Sequence, residues 1–216
     1  MPDPQPSLTL GPFDGVLFDN DGVLVDSHAH GEIAWRTLCD RFDLPFDEIV
    51  TTFVGRRPED TLGEHLDGER LATAIDELEA LEIELAAETP VLHGAIELLD
   101  ALTLPWTVVT SASLPLALAR WDGAGLRVPE QVVSAESVSR GKPDPQPYLA
   151  GAELLGVDPE RVLVFEDAPA GGLAATAAGC TVVAVGDTPW TIQPAGRVPD
   201  LSCVRMAADV VTFTIA

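Results

Sequence analysis

The chain has 216 residues, of which 46% are hydrophobic and 22% charged, a composition typical of a globular protein with one core and room for a small accessory domain. Its formal net charge of −23 argues against nucleic acid and anionic membranes as partners. No apolar run approaches the roughly 18 residues of a membrane-spanning helix, and the first ten residues do not resemble a signal peptide. Three widely spaced cysteines favour a reduced, cytoplasmic protein.

Short apolar runs rich in β-branched and aromatic residues alternate with amphipathic stretches along much of the chain. After a short extended tail in the first ten residues, strands are predicted at 15–18, 106–110, 131–133, 162–165 and 181–185. Helices are predicted among them at 114–121, 145–155 and 169–178. Because buried strands without polar alternation, separated by helices, are typical of a parallel sheet, the pattern predicts an α/β fold.

Helical patterns fill the long gap between the first two predicted strands. Amphipathic stretches occur at 28–41, 58–66 and 69–88, and the last is rich in the helix formers Glu and Ala. A gap of about 65 residues is too long for a crossover and too helical for a loop. We expect residues 26–92 to form an inserted α-helical cap domain over the carboxyl edge of the sheet, with 1–25 and 93–216 as the core domain.

Carboxylates follow the first and the fourth of the predicted strands. Asp19 and Asp21 come directly after the first strand in "FDNDG", and Glu166 and Asp167 end the fourth in "FEDAPAG". Taken alone, each pair is weak evidence for a site, because a turn or a helix cap explains it better. Ligands bind beyond the carboxyl ends of the strands in open α/β sheets, so all four carboxylates are expected at such a binding edge.

A hydroxyl and an ammonium group lie near the other strand ends. Ser111 and the backbone amide of Ala112 follow the second strand and suit phosphate oxygens. Lys142, in "RGKPDP", is the only lysine among 12 basic residues, which suggests a specific need for its compact charge. Either motif alone is also typical of an ordinary cap or surface turn. Four polar clusters in this order indicate a catalytic site.

In these motifs the sequence resembles the haloacid dehalogenase-like superfamily of aspartate-nucleophile hydrolases, over nearly the whole chain. The segments "VVTSASLPLALAR", "RGKPDPQPYLAGAELLG" and "VFEDAPAGGLAATAAGC" are similar to its sugar-phosphatase branch. That branch includes bacterial sugar phosphatases and yeast-type glycerol-phosphate and deoxyglucose-6-phosphate phosphatases. The resemblance implies a Rossmann-like core with a helical cap, and hydrolysis of small sugar or polyol phosphate monoesters.

The resemblance also implies a role for each motif residue. Asp19 would attack phosphorus to give an aspartyl-phosphate. Asp21 would protonate the leaving alkoxide and then deprotonate the hydrolytic water. Lys142 would neutralise the nucleophile and the phosphate, while Ser111 and the Ala112 backbone would bind phosphate oxygens.

The resemblance also implies a divalent cation in the site. Two carboxylates and an incoming phosphate would repel one another strongly without a cation. Mg²⁺ prefers oxygen ligands, which Asp19, the backbone carbonyl of Asp21 and Asp167 would supply. Glu166 would bind the ion directly or through water.

Substrate contacts in the predicted cap domain are less constrained by the sequence. Arg57 in "GRR" matches an arginine of the yeast-type enzymes and is a candidate substrate ligand, with a solvated basic pair as an equal alternative. Glu32 lies four residues before Arg36, which favours a helical ion pair over a contact with a sugar hydroxyl. Glu79 and Glu82 match acidic cap positions of bacterial sugar phosphatases, although a solvated helix face is the favoured interpretation.

Three residues near the motifs have simpler interpretations. Asn20 is expected to point away from the site, because side chains alternate along a strand. His28 and His30 do not face each other at i, i+2 on a helix, which argues against a metal pair. Trp121 is interpreted as a packing residue.

A phosphomutase of the β-phosphoglucomutase type is the main alternative function, since such isomerases use the same aspartyl-phosphate. They place a histidine twelve positions after the nucleophile, where this chain has Gly31, so a mutase is less favoured. A non-catalytic protein is disfavoured because all four motif positions are filled, and a dehalogenase because Asp21 is present. The expected partner is a small phosphorylated sugar or polyol, and the expected state a monomer or weak homodimer.

Overall fold

The computed structural model describes residues 7–214, which are centred on a five-stranded parallel sheet. The strands are β1 (Ser7–Leu10), β2 (Gly15–Phe18), β3 (Trp106–Val108), β4 (Val162–Glu166), β5 (Thr181–Val185), β6 (Gly196–Val198), β7 (Val204–Ala207) and β8 (Val210–Thr214). The parallel sheet has the order β3-β2-β4-β5-β6, and a separate antiparallel sheet has the order β1-β8-β7. The predicted α/β fold with a central parallel sheet is confirmed.

Two groups of helices surround this sheet. Four follow β2, namely α1 (His28–Phe42), α2 (Phe46–Ile49), α3 (Pro58–Leu62) and α4 (Gly68–Ala86). Residues 28–86 are called the helical insert below. Four more accompany the later strands, namely α5 (Ala95–Ala101), α6 (Leu114–Ala124), α7 (Gln146–Leu155) and α8 (Pro169–Ala177). None of these helices is both long and apolar enough to cross a membrane.

The structure differs from the predicted elements in several places, which include the unpredicted helices α2 and α5. The stretch 131–133 forms a single bridge between Val109 and Val133, because the chain passes into a 3₁₀ turn at Ala135–Ser137. The sequence does not predict β6 or the antiparallel sheet, whose short strands carry no continuous apolar run. Part of the predicted tail is β1, which pairs with β8, and residues 1–6 of that tail lie outside the described residues.

Strands β2 and β4 are buried along their whole length, because side chains pack on both faces of the sheet. On one face Phe18 and Phe165 stack with their ring centroids 5.3 Å apart. On the other face Leu17 and Val164 pack with Tyr148 of α7. The polar residues that follow these two strands therefore emerge side by side at the carboxyl edge.

The helical insert has a hydrophobic cluster of its own. Trp35, Leu38, Leu62 and Leu78 are buried in it, and Trp35 stacks on Phe53 with ring centroids 5.0 Å apart. Helix α4 also packs against α6, which belongs to the rest of the described chain, called the sheet-containing part below. This contact holds the insert beside the carboxyl edge of the sheet, while the division of the chain into domains at 26 and 92 stays a prediction.

Candidate active site

Lys142 lies at the centre of a buried polar cluster at the carboxyl edge. Its ammonium donates hydrogen bonds to Asp19 Oδ1 at 2.7 Å, Glu166 Oε1 at 2.8 Å and the carbonyl of Val109 at 3.2 Å. Burial lowers the pKa of Lys142, but the two carboxylates outweigh this effect and raise the pKa above its ordinary value. The single lysine of the chain is therefore a permanent cation held against Asp19.

Both oxygens of Glu166 are hydrogen-bonded to protein groups. Oε1 accepts from Lys142 and from the Tyr148 hydroxyl at 2.9 Å, and Oε2 accepts from the amide of Ala168 at 2.8 Å. A side chain at position 171 would collide with this carboxylate, so Gly171 leaves the room that it needs. In this arrangement Glu166 orients the lysine.

Asp19, Glu166 and Asp167 bring carboxylate oxygens within 4.8 Å of one another. Burial raises the pKa of Asp19 well above its ordinary value against the opposing charge of Lys142, and burial raises the pKa of Asp167 to about 6. The Asp167 Oδ1 atom is buried without a hydrogen-bond partner among residues 7–214. Three carboxylates with one ammonium and an unpartnered oxygen fit a divalent cation, which would supply the missing positive charge.

Asp21 is held from the side of α6. Its Oδ1 accepts a hydrogen bond from Ser27 Oγ at 2.5 Å and pairs with Arg120 Nη1 at 2.9 Å. Arg120 is 5% exposed and also pairs through Nη2 with Glu82 Oε1 at 2.9 Å. Burial raises the pKa of Glu82 to about 7, although the charge of Arg120 opposes the shift. Arg120 thereby links Asp21 to α4 of the helical insert.

His28, at the start of α1, contacts the acidic cluster. Its Nε2 atom lies 3.0 Å from Asp167 Oδ2, and this hydrogen bond raises the pKa of His28. Gly22 has a φ of +79°, and a side chain there would collide with both residues. The glycine of "DNDG" is therefore required by the left-handed turn and by the close approach of these two groups.

The loop after β3 presents a hydroxyl to the same region. Ser111 Oγ donates to the carbonyl of Gly55 in the helical insert at 2.9 Å. The Ala112 amide donates to Thr110 Oγ1 at 3.0 Å. Ala112 was expected to offer its amide to phosphate, but in this arrangement that amide is engaged within the loop, which leaves the Ser111 hydroxyl as the group that can change acceptors.

A cavity of about 420 Å³ lies between the carboxyl edge and the helical insert. Its floor includes Asp19, Asp21 and Ser111. Its walls are partly apolar, with Trp35 and Leu116, and partly polar. The cavity therefore combines carboxylates of the strand end with a surface that suits a carbon skeleton bearing polar groups.

The family model for haloacid dehalogenase-like hydrolases matches residues 13–179. The chain belongs to this family. Hexitol phosphatase A of Escherichia coli (strain K12) is 45% identical over 209 residues, covering 93% of this chain and 94% of that protein. Glycerol-1-phosphate phosphohydrolase 2 of Saccharomyces cerevisiae is 32% identical over 187 residues, covering 80% and 74%. A solved hydrolase from Pseudomonas syringae aligns with a TM-score of 0.79 and 25% identity, covering 87% and 94%.

Two predicted substrate ligands of this haloacid dehalogenase-like hydrolase lie outside the cavity lining. Arg57 donates to Asp60 at 2.8 and 2.9 Å and to a backbone carbonyl of the sheet-containing part at 3.2 Å, so it joins the insert to that part. Glu32 pairs with Arg36 at 3.0 Å on an exposed face of α1. The side chain that does line the cavity is Arg56, the neighbour of Arg57.

Other residues of this hydrolase have site contacts that the sequence interpretation missed. Glu82 is 9% exposed because it faces Arg120, and Glu79 lines the cavity and accepts a hydrogen bond from Ser113. The expectation of a solvated helix face for the two glutamates is therefore wrong. His28 also lines the cavity. The available signal was Arg120 itself, the one basic residue of an otherwise largely apolar α6.

Proposed function

We propose that this hydrolase releases inorganic phosphate from small sugar or polyol phosphate monoesters. The main support is that two carboxylates with different partners line the same cavity. Asp19 pairs with the buried ammonium of Lys142, and Asp21 pairs with Arg120. Such a pair suits a nucleophile and a separate proton carrier. The names of the two relatives, a hexitol phosphatase and a glycerol-1-phosphate phosphohydrolase, support the same substrate class.

In the proposed reaction Asp19 attacks phosphorus and forms an aspartyl-phosphate while Asp21 protonates the leaving alkoxide. Asp21 then takes a proton from the water that hydrolyses this intermediate. Since Ser27 and Arg120 both contact Oδ1 of Asp21, its Oδ2 is the oxygen assigned to proton transfer. Lys142 stabilises negative charge first on Asp19 and then on the phosphoryl group bonded to it.

We infer that Mg²⁺ is the cation of this site. Asp19, Asp167 and the backbone carbonyl of Asp21 would hold it, and the unpartnered Asp167 Oδ1 supports this assignment. When bound, the ion supplies positive charge that offsets the repulsion between the carboxylates and the phosphate. Because both Glu166 oxygens are hydrogen-bonded, we assign Glu166 to the orientation of Lys142.

The helical insert is proposed to act as the cap that covers bound substrate. Ser111 would exchange the Gly55 carbonyl for a phosphate oxygen when substrate enters. The leaving group would then contact the insert through residues such as Trp35, Arg56 and Glu79, which line the cavity, and not through Arg57.

The proposal is tested by assaying phosphate release from sorbitol 6-phosphate, glycerol 1-phosphate and p-nitrophenyl phosphate with MgCl₂ present. We expect turnover of all three, and none in Asp19→Asn. In Asp21→Asn, p-nitrophenyl phosphate should still phosphorylate the protein, because its leaving group needs no proton. The acid-stable phosphoryl group should then remain, because Asp21 is not there to take a proton from the hydrolytic water, and intact-mass spectrometry would detect it. Full activity of Asp19→Asn would exclude the covalent mechanism, and no release from either polyol phosphate would exclude the proposed substrate class.

The phosphomutase alternative is tested in parallel. Gly31 lines the cavity and offers no side chain where the mutases carry histidine, so interconversion of hexose 1- and 6-phosphates is expected to be absent. Formation of the isomeric hexose phosphate faster than inorganic phosphate would favour the mutase.

A further inference from the structure

Two carboxylates of the cavity, Glu79 and Glu136, have only uncharged partners. Glu79 is half-buried on α4 and accepts a hydrogen bond from the Ser113 hydroxyl. Glu136 is exposed and accepts from Ser134 Oγ at 2.7 Å and from the amide of Leu114 at 3.3 Å. Neither forms an ion pair with another residue in the described range 7–214. Both therefore present unneutralised negative charge to a ligand.

The cations that line the same cavity are already engaged. Arg56 pairs with Glu64 at 2.6 Å, and Arg120 is shared between two carboxylates. His28 is hydrogen-bonded to Asp167 at 3.0 Å. A metal ion at the acidic cluster would neutralise the floor, where the phosphate is proposed to bind, and not the two glutamates. The leaving-group end of the cavity thus has surplus negative charge and no unpaired cation among the residues described.

We propose that this cavity selects phosphate monoesters whose leaving group carries no second anion, and that Glu79 and Glu136 determine this specificity. The inference rests on the proposed function and narrows its substrate class. Hydroxyl and ammonium groups donate hydrogen bonds to carboxylates, so neutral polyols, sugars and their amino derivatives are accepted. A carboxylate or second phosphate in the same place meets like charge in a partly desolvated cavity, so aldonate phosphates and bisphosphates are rejected.

The test compares substrates that differ at one group. Sorbitol 6-phosphate and 6-phosphogluconate share a six-carbon chain and differ in a hydroxymethyl or carboxylate at C1, and glucose and glucosamine 6-phosphates form a second pair. We expect kcat/KM for 6-phosphogluconate to be at least about tenfold below that for sorbitol 6-phosphate, since like charges across an interface suppress binding. Glucosamine 6-phosphate should be hydrolysed at least as efficiently as glucose 6-phosphate.

Variants assign the selection to the two glutamates. Glu79→Gln combined with Glu136→Gln removes the charges while keeping an acceptor oxygen. The ratio of kcat/KM for sorbitol 6-phosphate to that for 6-phosphogluconate should then fall from about tenfold to about threefold or less, because the repulsion is lost. Glu84→Gln is the matched control, since Glu84 is exposed on the same helix and does not line the cavity. The control should keep the wild-type ratio. In the wild-type enzyme the ratio should also shrink as NaCl is raised, which tests the charge effect without any substitution.

Competitive inhibition separates this inference from the proposed function. The inhibition constants of sorbitol 6-phosphate and 6-phosphogluconate are measured against hydrolysis of p-nitrophenyl phosphate, so neither compound has to turn over. Failure to hydrolyse both sorbitol 6-phosphate and glycerol 1-phosphate would exclude the polyol substrate class, while weaker inhibition by 6-phosphogluconate would still support charge selection. Equal inhibition constants for the pair, or a wild-type ratio that survives the double substitution and high salt, would overturn the inference.

Discussion

The indole of Trp121 donates a hydrogen bond from Nε1 to Asn20 Oδ1 at 2.7 Å, and both side chains are buried. Asn20 stands between Asp19 and Asp21 and does not line the cavity, as strand alternation predicts. The preceding residue, Arg120, pairs with Asp21. Consecutive residues of α6 therefore hold consecutive residues of the loop after β2, which fixes the orientation of this loop.

We predict that Trp121→Phe lowers the free energy of unfolding by about 1–3 kcal/mol, because Asn20 loses the donor to its buried carbonyl oxygen. Asn20→Leu removes the other partner. The double variant should lose less stability than the sum of the two single losses, by about 1 kcal/mol, because no unpaired acceptor remains. Urea unfolding of the four proteins measures this coupling. Strict additivity would show that the hydrogen bond does not contribute to stability.

Arg120→Met should affect both stability and proton transfer. The buried Glu82 and the partly exposed Asp21 lose their shared cation, which costs about 3–5 kcal/mol of unfolding free energy. Because Asp21 is no longer held, kcat for sorbitol 6-phosphate should fall about 10²-fold, the usual worth of a well-placed acid. The initial burst of p-nitrophenol, which reports phosphorylation of the protein by p-nitrophenyl phosphate, should slow less, since this leaving group departs without a proton.

Arg120→Lys serves as the control, because it keeps one charge near Asp21 but cannot make both contacts. It should recover part of the stability while leaving part of the defect with sorbitol 6-phosphate. Equal losses in sorbitol 6-phosphate turnover and in the p-nitrophenol burst of the Met variant would contradict the role of Arg120 in positioning Asp21.

The grouping of polar side chains at the carboxyl edge could be predicted from the sequence because its determinants are local. A buried strand fixes which residue comes first at its carboxyl end, so Asp19 and the acidic pair at Glu166 follow from chain position alone. The contacts of Arg120 and Glu82 depend on how α4 packs against α6, two helices separated in the chain by α5 and β3. A helix face that is acidic in sequence gives no indication of a buried arginine on another helix.

Arg57 shows the same limit at shorter range. Its match to a family position gives the place of Arg57 in the chain but not the direction of its side chain. That direction is set by the ion pair with Asp60, one turn later in the insert. The neighbouring Arg56 faces the cavity because successive residues of this turn point in different directions. Sequence similarity located the loop, and the hydrogen bonds decided which guanidinium lines the cavity.

Glu82 should make stability depend on pH. Its ordinary pKa of 4.5 is raised to about 7 in the folded protein by burial, so between these values the folded protein holds a proton that the unfolded chain releases. Stability should therefore fall as pH rises from 4.5 to 7. The decrease in unfolding free energy from pH 5 to pH 8 should be about 1–3 kcal/mol smaller in Glu82→Gln than in wild type, as measured by urea unfolding at the two pH values.

The control for Glu82→Gln is again Glu84→Gln, which alters an exposed carboxylate of the same helix. It should leave the pH dependence unchanged. A Glu82→Gln protein that loses as much stability as wild type between pH 5 and pH 8 would show that Glu82 is ionised throughout, paired with Arg120.

Mg²⁺ should stabilise the folded protein independently of turnover. A ligand that binds only the native state raises the free energy of unfolding, by about 2.7 kcal/mol at a hundredfold excess over the dissociation constant, and the midpoint of thermal unfolding rises with it. We expect this rise for wild type and its loss in Asp167→Asn, measured by differential scanning fluorimetry. Asp187→Asn, at an exposed position after β5, should respond like wild type. An unchanged Mg²⁺ response in Asp167→Asn would remove Asp167 from the proposed ligands.

The burial of Lys142 also makes its reactivity toward amine reagents a measure of local opening. Amine-directed acylating reagents have one side-chain target in this chain, and that target is 1% exposed. Its acylation requires the polar cluster to open, so the rate of labelling under native conditions measures how often this cluster is exposed to solvent. Substrate analogues and Mg²⁺ that close the cavity would appear as protection of a single peptide in a mass spectrum.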